Sequence, residues 1–190
     1  MKIFVLLPRI PWPLEKGDKL RAFNQIRQLS HNNEIVLCAL NTNKRSDKEA
    51  AFKALQPYCS SITFIDINKI SILTNLAIAF IKGLPIQCGY FYNKKAHKKI
   101  NKLIEKHKPD MLFGQLLRVA EYLRHEKTPK TIDYQDVFSM GMKRRKEIAP
   151  FYLKPIFNME YKRLRRYEHC IFDDFDIKTI ISLQDRDDID

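Results

Sequence analysis

The feature that most constrains the fold is a continuous apolar run at the start of the chain. Residues 3–7 are all apolar, and the run ends at Pro8. A strand with one solvated face would alternate apolar and polar residues, so a continuous run indicates a strand covered on both faces, as in a parallel sheet. Residues 19–30 then carry apolar side chains at helical spacing, which predicts an amphipathic helix. The chain therefore opens with one strand and one helix of an α/β fold.

The same alternation of strand and helix patterns continues along the chain. The connections are long, which favours parallel pairing and right-handed crossovers. We therefore predict a Rossmann-like three-layer α/β/α sandwich with a mostly parallel sheet. The further predicted strands are 34–40, 61–65, 111–114, 130–134 and 177–182. The further predicted helices are 46–56, 70–82, 93–107, 119–124, 140–148 and 151–175.

The composition points to an anionic partner. The 190 residues carry a formal net charge of +12, and the sequence pI is about 9.5. Such a charge favours a phosphate ligand, an anionic membrane surface or nucleic acid. The four cysteines are widely spaced and show neither a CxxC pair nor metal-ligand spacing with the five histidines. We therefore predict no metal, no other cofactor and a reducing, cytoplasmic compartment.

Two neighbouring segments leave two interpretations open. Residues 70–84 are the longest apolar stretch, but a membrane-spanning helix needs roughly twenty residues. We favour a buried core helix here over a helix that lies on a membrane surface. Residues 93–107 form a helix rich in lysine, for which a solvated face is the ordinary explanation and docking on an anionic membrane is the alternative.

The loop after the first strand is the first candidate site. Loops at the carboxyl ends of parallel strands are where α/β folds bind ligands. Gly17 can bring backbone N–H groups close to an anion at the start of the next helix, and Lys16, Lys19 and Arg21 add positive charge. In the alternative interpretation Gly17 only turns the chain, and Asp18 caps the helix. We weigh the two equally for Gly17 and favour the cap for Asp18.

A second candidate segment follows the fifth strand and should lie at the same edge of the sheet. A carboxylate at Asp133 or Asp136, or the hydroxyl of Ser139, can hydrogen-bond to a hydroxyl group of a ligand and orient it. Capping of the next helix by Asp136 or Ser139 is an equally good explanation. Trp12, between two prolines, is either an anchor packed on the domain, which we favour, or an aromatic platform for a sugar ring.

Three segments carry a resemblance to a known family. They read PWPLEKGDKLR at 11–21, DYQDVFS at 133–139, and EYKRLRRYE at 160–168, which leads into IIS at 180–182. Together with the order of elements, they resemble the N-terminal, acceptor-side domain of GT-B glycosyltransferases. More narrowly, they resemble bacterial family 4 retaining enzymes of exopolysaccharide and cell-envelope biosynthesis.

The resemblance implies a division of the chain and a set of roles. Residues 1–182 would be the N-terminal domain, and 183–190 would begin the crossover to a second domain outside this sequence. That second domain would hold most of the nucleotide-sugar donor, so this chain alone is expected to be inactive. The loop at 16–18 would face the donor diphosphate, although many relatives have two adjacent glycines there. The segment 133–139 would face the acceptor or the transferred sugar, and no catalytic residue is assigned.

The resemblance also implies an activity and a location. The full-length enzyme would transfer a sugar from a nucleotide-sugar donor to a glycan or lipid-linked acceptor in polysaccharide biosynthesis. It would be cytoplasmic, with peripheral attachment to the inner face of the membrane as an option.

The alternative function is a non-catalytic basic module that binds anionic membrane or nucleic acid. Nucleic acid is disfavoured, because the basic residues are spread over at least three elements and no RNP, KH or zinc-finger pattern occurs. A complete small nucleotide-binding protein is also disfavoured, since neither GxGxxG nor GxxxxGK[ST] follows the first strand.

Overall fold

Six strands form a single parallel sheet in the computed structural model, which describes residues 1–43 and 45–189. All six predicted strands and their parallel pairing are confirmed. The strands are β1 (Lys2–Leu7), β2 (Glu34–Asn41), β3 (Ser61–Asp66), β4 (Met111–Gln115), β5 (Lys130–Gln135) and β6 (Ile177–Ile180).

The strand order creates a crevice at one edge of the sheet. The order is β3-β2-β1-β4-β5-β6, so the chain builds outward from β1 in one direction and then returns to build from β4 in the other. The register pairs Val5 with Leu37 on one side and with Phe113 on the other. Ligands in open α/β sheets bind outside the carboxyl ends of the strands where the direction of winding reverses. Here that point lies between β1 and β4.

The helices follow the predicted pattern with three differences. The predicted helix 151–175 begins only at Lys154. The predicted helix 46–56 begins only at Lys48, after Asp47, which caps it by accepting a hydrogen bond from the Ala50 N–H. A short helix at Ile86–Phe91 was not predicted. The helices are α1 (Gly17–Leu29), α2 (Lys48–Leu55), α3 (Lys69–Ile81), α4 (Ile86–Phe91), α5 (Lys94–His107), α6 (Ala120–Leu123), α7 (Phe138–Ile148), α8 (Lys154–Phe172) and α9 (Leu183–Ile189).

The sheet is covered on both faces, which confirms the three-layer arrangement. Alternate residues of β1 point to opposite sides: Phe4 and Leu6 belong to one core, and Val5 and Leu7 to the other. Helices α1 and α2 cover the smaller core, and α4 to α8 pack over the larger one. The predicted crossover 183–190 is helical through α9, and its last residue, Asp190, lies outside the described residues.

Helix α3 departs from the favoured expectation of a buried core helix. Ile72 and Ala79 are buried, but Ile70, Leu73 and Ile81 are 73%, 72% and 83% exposed. The helix is apolar around most of its circumference, so packing one side on the domain leaves the other side in solvent. Within residues 1–43 and 45–189, no helix is both long and apolar enough to cross a bilayer.

Candidate functional site

The carboxyl edge of the sheet has unusual backbone geometry at two adjacent strands. Leu116 directly follows β4 with φ of 64°, and Gln135 ends β5 with φ of 61°. Such angles are costly for residues with a side chain, by about 1–3 kcal/mol each, and they occur most often at functional sites. The Leu116 N–H donates to the Asp133 carbonyl oxygen at 2.7 Å, which ties the two turns together.

The loop after β1 holds the predicted phosphate-binding residues at this edge. Lys16 occupies the N-cap position of α1, and no side chain caps the helix, so the capping role favoured for Asp18 is wrong. Asp18 instead forms an ion pair with Arg9 at 3.3 Å, and its carbonyl oxygen accepts a hydrogen bond from Gln115 Nε2 at 2.9 Å. Gly17 is exposed, and a Cβ there would contact nothing within 4 Å.

Lys19 and Trp12 stabilise the loop itself. Lys19 Nζ donates to Glu15 Oε1 at 3.1 Å and to the Trp12 carbonyl oxygen at 3.4 Å. The indole of Trp12 lies 5.9 Å from the ring of Phe23, and both rings pack against the core under α1. These contacts fit the anchor interpretation of Trp12 and leave Lys19 already neutralised.

Arg21 and Asp133 form an ion pair with each other. Arg21 Nε and Nη2 donate to the two oxygens of Asp133 at 2.8 and 3.0 Å. Gln25 and Thr179 also donate to this carboxylate, at 2.9 Å each, and Asp133 is 0% exposed. Burial alone would raise the pKa of Asp133, but the hydrogen bonds and the charge of Arg21 lower it below its ordinary value. Asp133 thus lies beneath the surface of the cleft that it was expected to line.

Ser139 is also buried, beneath the start of α7. Its backbone N–H donates to Glu168 Oε1 on α8 at 3.1 Å, and both residues are nearly inaccessible to solvent. Burial raises the pKa of Glu168, and the hydrogen bonds from Ser139 and Phe138 lower it only in part. A carboxylate from another helix therefore caps α7, so neither Asp136 nor Ser139 serves as the cap.

The last predicted residue, Asp136, is exposed and lines a cleft of about 400 Å³ at the carboxyl ends of β4 and β5. We call this the Arg118 cleft. Asp136 forms no ion pair among the described residues, so its carboxylate can accept hydrogen bonds from a ligand. The polar and aromatic residues that line the cleft are Gln87, Arg118, Asp136, Phe138, Arg144 and Arg145.

Arg118 is the least exposed of the charged side chains that line the cleft. Its Nε and Nη2 donate to Gln87 Oε1 at 3.3 and 2.9 Å. Its guanidinium carbon lies 5.2 Å from the ring centre of Phe91 and 4.9 Å from that of Phe138. Burial, with a smaller contribution from the positive charge of Arg9, lowers the pKa of Arg118 to about 10, although the negative charge of Asp18 opposes this shift. The guanidinium group of Arg118 is thus held in place by neutral side chains.

Sequence reasoning missed most of this cleft. Arg118 comes three residues after β4, so the rule that selected the loops after β1 and β5 would also have selected it. Gln87 gave no such signal, because it lies in α4, which has no clear sequence pattern. Arg144 and Arg145 lie within the predicted helix 140–148, where charged residues are typical of a solvated face. Among the described residues, no three histidine, cysteine, aspartate or glutamate side chains come together as metal ligands.

Comparisons with known proteins identify the fold. No protein-family model and no curated protein sequence matches the chain. A solved structure, Phytolacca americana UGT2 complexed with UDP-2fluoro-glucose and pterostilbene, matches with a TM-score of 0.54 and 9% sequence identity. The match covers 97% of this chain and 49% of that chain, so this chain spans about half the length of that protein. The chain therefore has the Rossmann-like α/β fold found in one part of a GT-B glycosyltransferase.

Proposed function

We propose that this chain is the acceptor-side domain of a glycosyltransferase. In this proposal the full-length enzyme transfers a sugar from a nucleotide-sugar donor to a glycan or lipid-linked acceptor in polysaccharide biosynthesis. The observation that carries it is the Arg118 cleft, which lies at the carboxyl edge of a fold shared with a UDP-sugar-binding protein. The membership of bacterial family 4 is part of the same proposal and rests on the three sequence segments.

The cleft offers chemistry suited to an acceptor. Asp136 presents an exposed carboxylate that can accept a hydrogen bond from a sugar hydroxyl and orient it. The ring of Phe138 adds apolar surface, and the arginines favour an acceptor that carries negative charge. Orientation of the attacking hydroxyl is the contribution expected from an acceptor-side domain.

This chain offers few groups that could bind the diphosphate of the nucleotide-sugar donor. Lys19 and Arg21 are engaged with Glu15 and Asp133, which leaves Lys16, Gly17 and the uncapped start of α1 as the groups available to a donor diphosphate. A helix N-terminus with one lysine binds an anion weakly when no second protein surface covers the anion and excludes water. We therefore expect the donor to bind mainly to a further domain.

Binding measurements on the full chain test this assignment. We expect isothermal titration with UDP-glucose to give a dissociation constant weaker than about 1 mM. We expect short-chain lipid-linked and free oligosaccharides to shift amide NMR signals around the Arg118 cleft. Asp136→Ala should weaken this binding by ~10-fold, whereas the exposed Asp173→Asn should not. Micromolar binding of UDP-glucose, or no shift with any saccharide, would contradict the proposal.

A lipid-linked acceptor requires access to a membrane, and the apolar face of α3 supports peripheral attachment. This face, defined by Ile70, Leu73 and Ile81, is largely exposed. Lys82, Lys94 and Lys95 line a groove of about 580 Å³ between α3 and the start of α5. Exposed apolar residues beside lysines are typical of proteins that lie on anionic bilayers.

Co-sedimentation with anionic vesicles tests this attachment. We expect the wild-type chain to bind vesicles of phosphatidylglycerol and phosphatidylcholine, and Leu73→Asn combined with Ile81→Asn to reduce binding by at least ~10-fold, because each side chain contributes about 1.5 kcal/mol or more when buried. Phe52→Asn is the control, since Phe52 is exposed on α2 instead. Equal binding by all three proteins would remove the proposed role of α3.

A further inference from the structure

Arg118 is a half-buried cation without an anionic partner. Among the described residues no carboxylate lies within ion-pair distance of it, whereas Arg9, Arg21 and Arg124 each have at least one. Charged side chains away from solvent are ordinarily paired, because desolvation of the charge is expensive. An arginine held without its counter-ion therefore points to a charge supplied by something that binds.

The surroundings of Arg118 fix it in position. Gln87 accepts two of its hydrogen bonds, and the rings of Phe91 and Phe138 lie on its guanidinium. Gln87 follows the first residue of α4, whose backbone N–H donates to the buried carboxylate of Glu160 at 2.8 Å. The orientation of the guanidinium is thus set by packing and neutral hydrogen bonds before any ligand arrives, which lowers the entropic cost of binding.

Further charges surround the same cleft. Arg144 and Arg145 line it from α7, are exposed, and form no ion pair among the described residues. Against these three arginines the lining includes a single carboxylate, that of Asp136. The lining therefore carries three positive charges and one negative charge, a net charge of +2.

We infer that the Arg118 cleft is a subsite for a phosphate or diphosphate group. Arginine is suited to phosphate, because its planar fork of N–H groups matches the phosphate oxygens. A lining charge of +2 matches the charge of a diphosphate ligand better than it matches the charge of a ligand with a single carboxylate. Asp136, in the same cleft, would contact the sugar attached to that group.

This inference deepens the proposed function and rests on it for the identity of the ligand. The same diphosphate chemistry could come from a lipid diphosphate-linked acceptor or from the nucleotide-sugar donor. We assign it to the acceptor, because Asp136 offers hydroxyl recognition beside the arginines and because the loop at Lys16 and Gly17 remains for the donor. The subsite would make the acceptor of this enzyme an anionic, phosphate-linked saccharide.

Calorimetric titration of the full chain with inorganic pyrophosphate tests the subsite, in about 150 mM salt so that diffuse attraction is screened. We expect Arg118→Met and the double variant Arg144→Ala with Arg145→Ala each to weaken pyrophosphate binding by at least ~10-fold. Lys143→Ala is the matched control: it removes one positive charge from an exposed neighbour on α7 that does not line the cleft. We expect it to change the affinity by less than ~2-fold.

Two results of the pyrophosphate titrations would rule out the subsite. Equal affinity of wild type, Arg118→Met and the double variant would overturn it. If Arg118→Met fails to fold by circular dichroism, the double variant decides, since both of its side chains are exposed. Binding by the double variant as tight as by wild type would then overturn the subsite.

Two further titrations separate the sources of the diphosphate. Tighter binding of a soluble, short-chain prenyl diphosphate-linked sugar than of UDP-glucose supports the acceptor assignment, and the reverse order overturns it. If neither binds more tightly than pyrophosphate while the variants still weaken pyrophosphate binding, the anion subsite stands and the proposed glycosyltransferase function fails.

Discussion

Arg21 and Arg118 both lie at the carboxyl edge of the sheet, but their charges are balanced in different ways. Arg21 forms a bidentate ion pair with the fully buried Asp133, which Gln25 and Thr179 also hold. Arg118 is held by Gln87 and two aromatic rings, without a carboxylate. The charge of Arg21 is neutralised by Asp133 of the same chain, and this ion pair stabilises the fold. The charge of Arg118 lacks an anion among the described residues, so it remains available to a ligand.

The largest effect on the free energy of unfolding is expected when Arg21 is replaced. Arg21→Leu leaves the carboxylate of Asp133 buried without its cation, so we expect the free energy of unfolding to fall by about 3–5 kcal/mol. Urea denaturation measures the change. Arg27→Leu is the control, because Arg27 is exposed on the same helix and forms no ion pair among the described residues. A loss below about 1 kcal/mol would show that Asp133 does not depend on Arg21.

Asp133 and Glu168 extend the comparison to buried carboxylates. The pKa of Asp133 is lowered because hydrogen bonds and a cation outweigh its burial. Its contribution to stability is present above the ordinary aspartate pKa and is lost as the pH falls through the lowered value. The pKa of Glu168 is raised because burial outweighs its hydrogen bonds. Its contribution is present below the ordinary glutamate pKa and is lost as the pH rises through the raised value.

Glu168→Gln should have a smaller effect on the free energy of unfolding, and this effect should depend on pH. Glutamine keeps an oxygen that can accept the Ser139 N–H but cannot ionise. We expect the free energy of unfolding of the variant, relative to wild type, to increase between about pH 4 and about pH 7. Urea denaturation at both pH values measures this difference, with the exposed Glu147→Gln as control. A difference that stays constant or decreases would contradict the raised pKa.

The smallest effect on stability is expected at Arg118. Arg118→Met removes the hydrogen bonds to Gln87 and the contacts with two rings, but it also removes an unneutralised, partly desolvated charge. We expect these terms to offset each other, so that the free energy of unfolding changes by less than about 1 kcal/mol. Denaturation under the conditions used for Arg21→Leu gives the comparison. A loss of about 3 kcal/mol or more would mean that Arg118, like Arg21, serves the fold.

The candidate site was only partly predictable from the sequence. The loop after β1 and the segment after β5 were correctly expected at the same edge of the sheet, because the carboxyl ends of parallel strands lie together. Arg21 and Asp133, 112 positions apart, were assigned to different groups of a ligand, since no local pattern reveals that two distant charges pair. The role of Glu168 in capping α7 was missed for the same reason.

The sequence by itself determined the strands, most helices, the parallel pairing and the layered fold. These depend on the local periodicity of apolar residues and on the length of the connections. The tertiary structure decided which charges neutralise each other and which remain open. It also decided that α3 keeps an exposed apolar face. Both outcomes follow from the order β3-β2-β1-β4-β5-β6 and from helix packing, which bring together residues far apart in the chain.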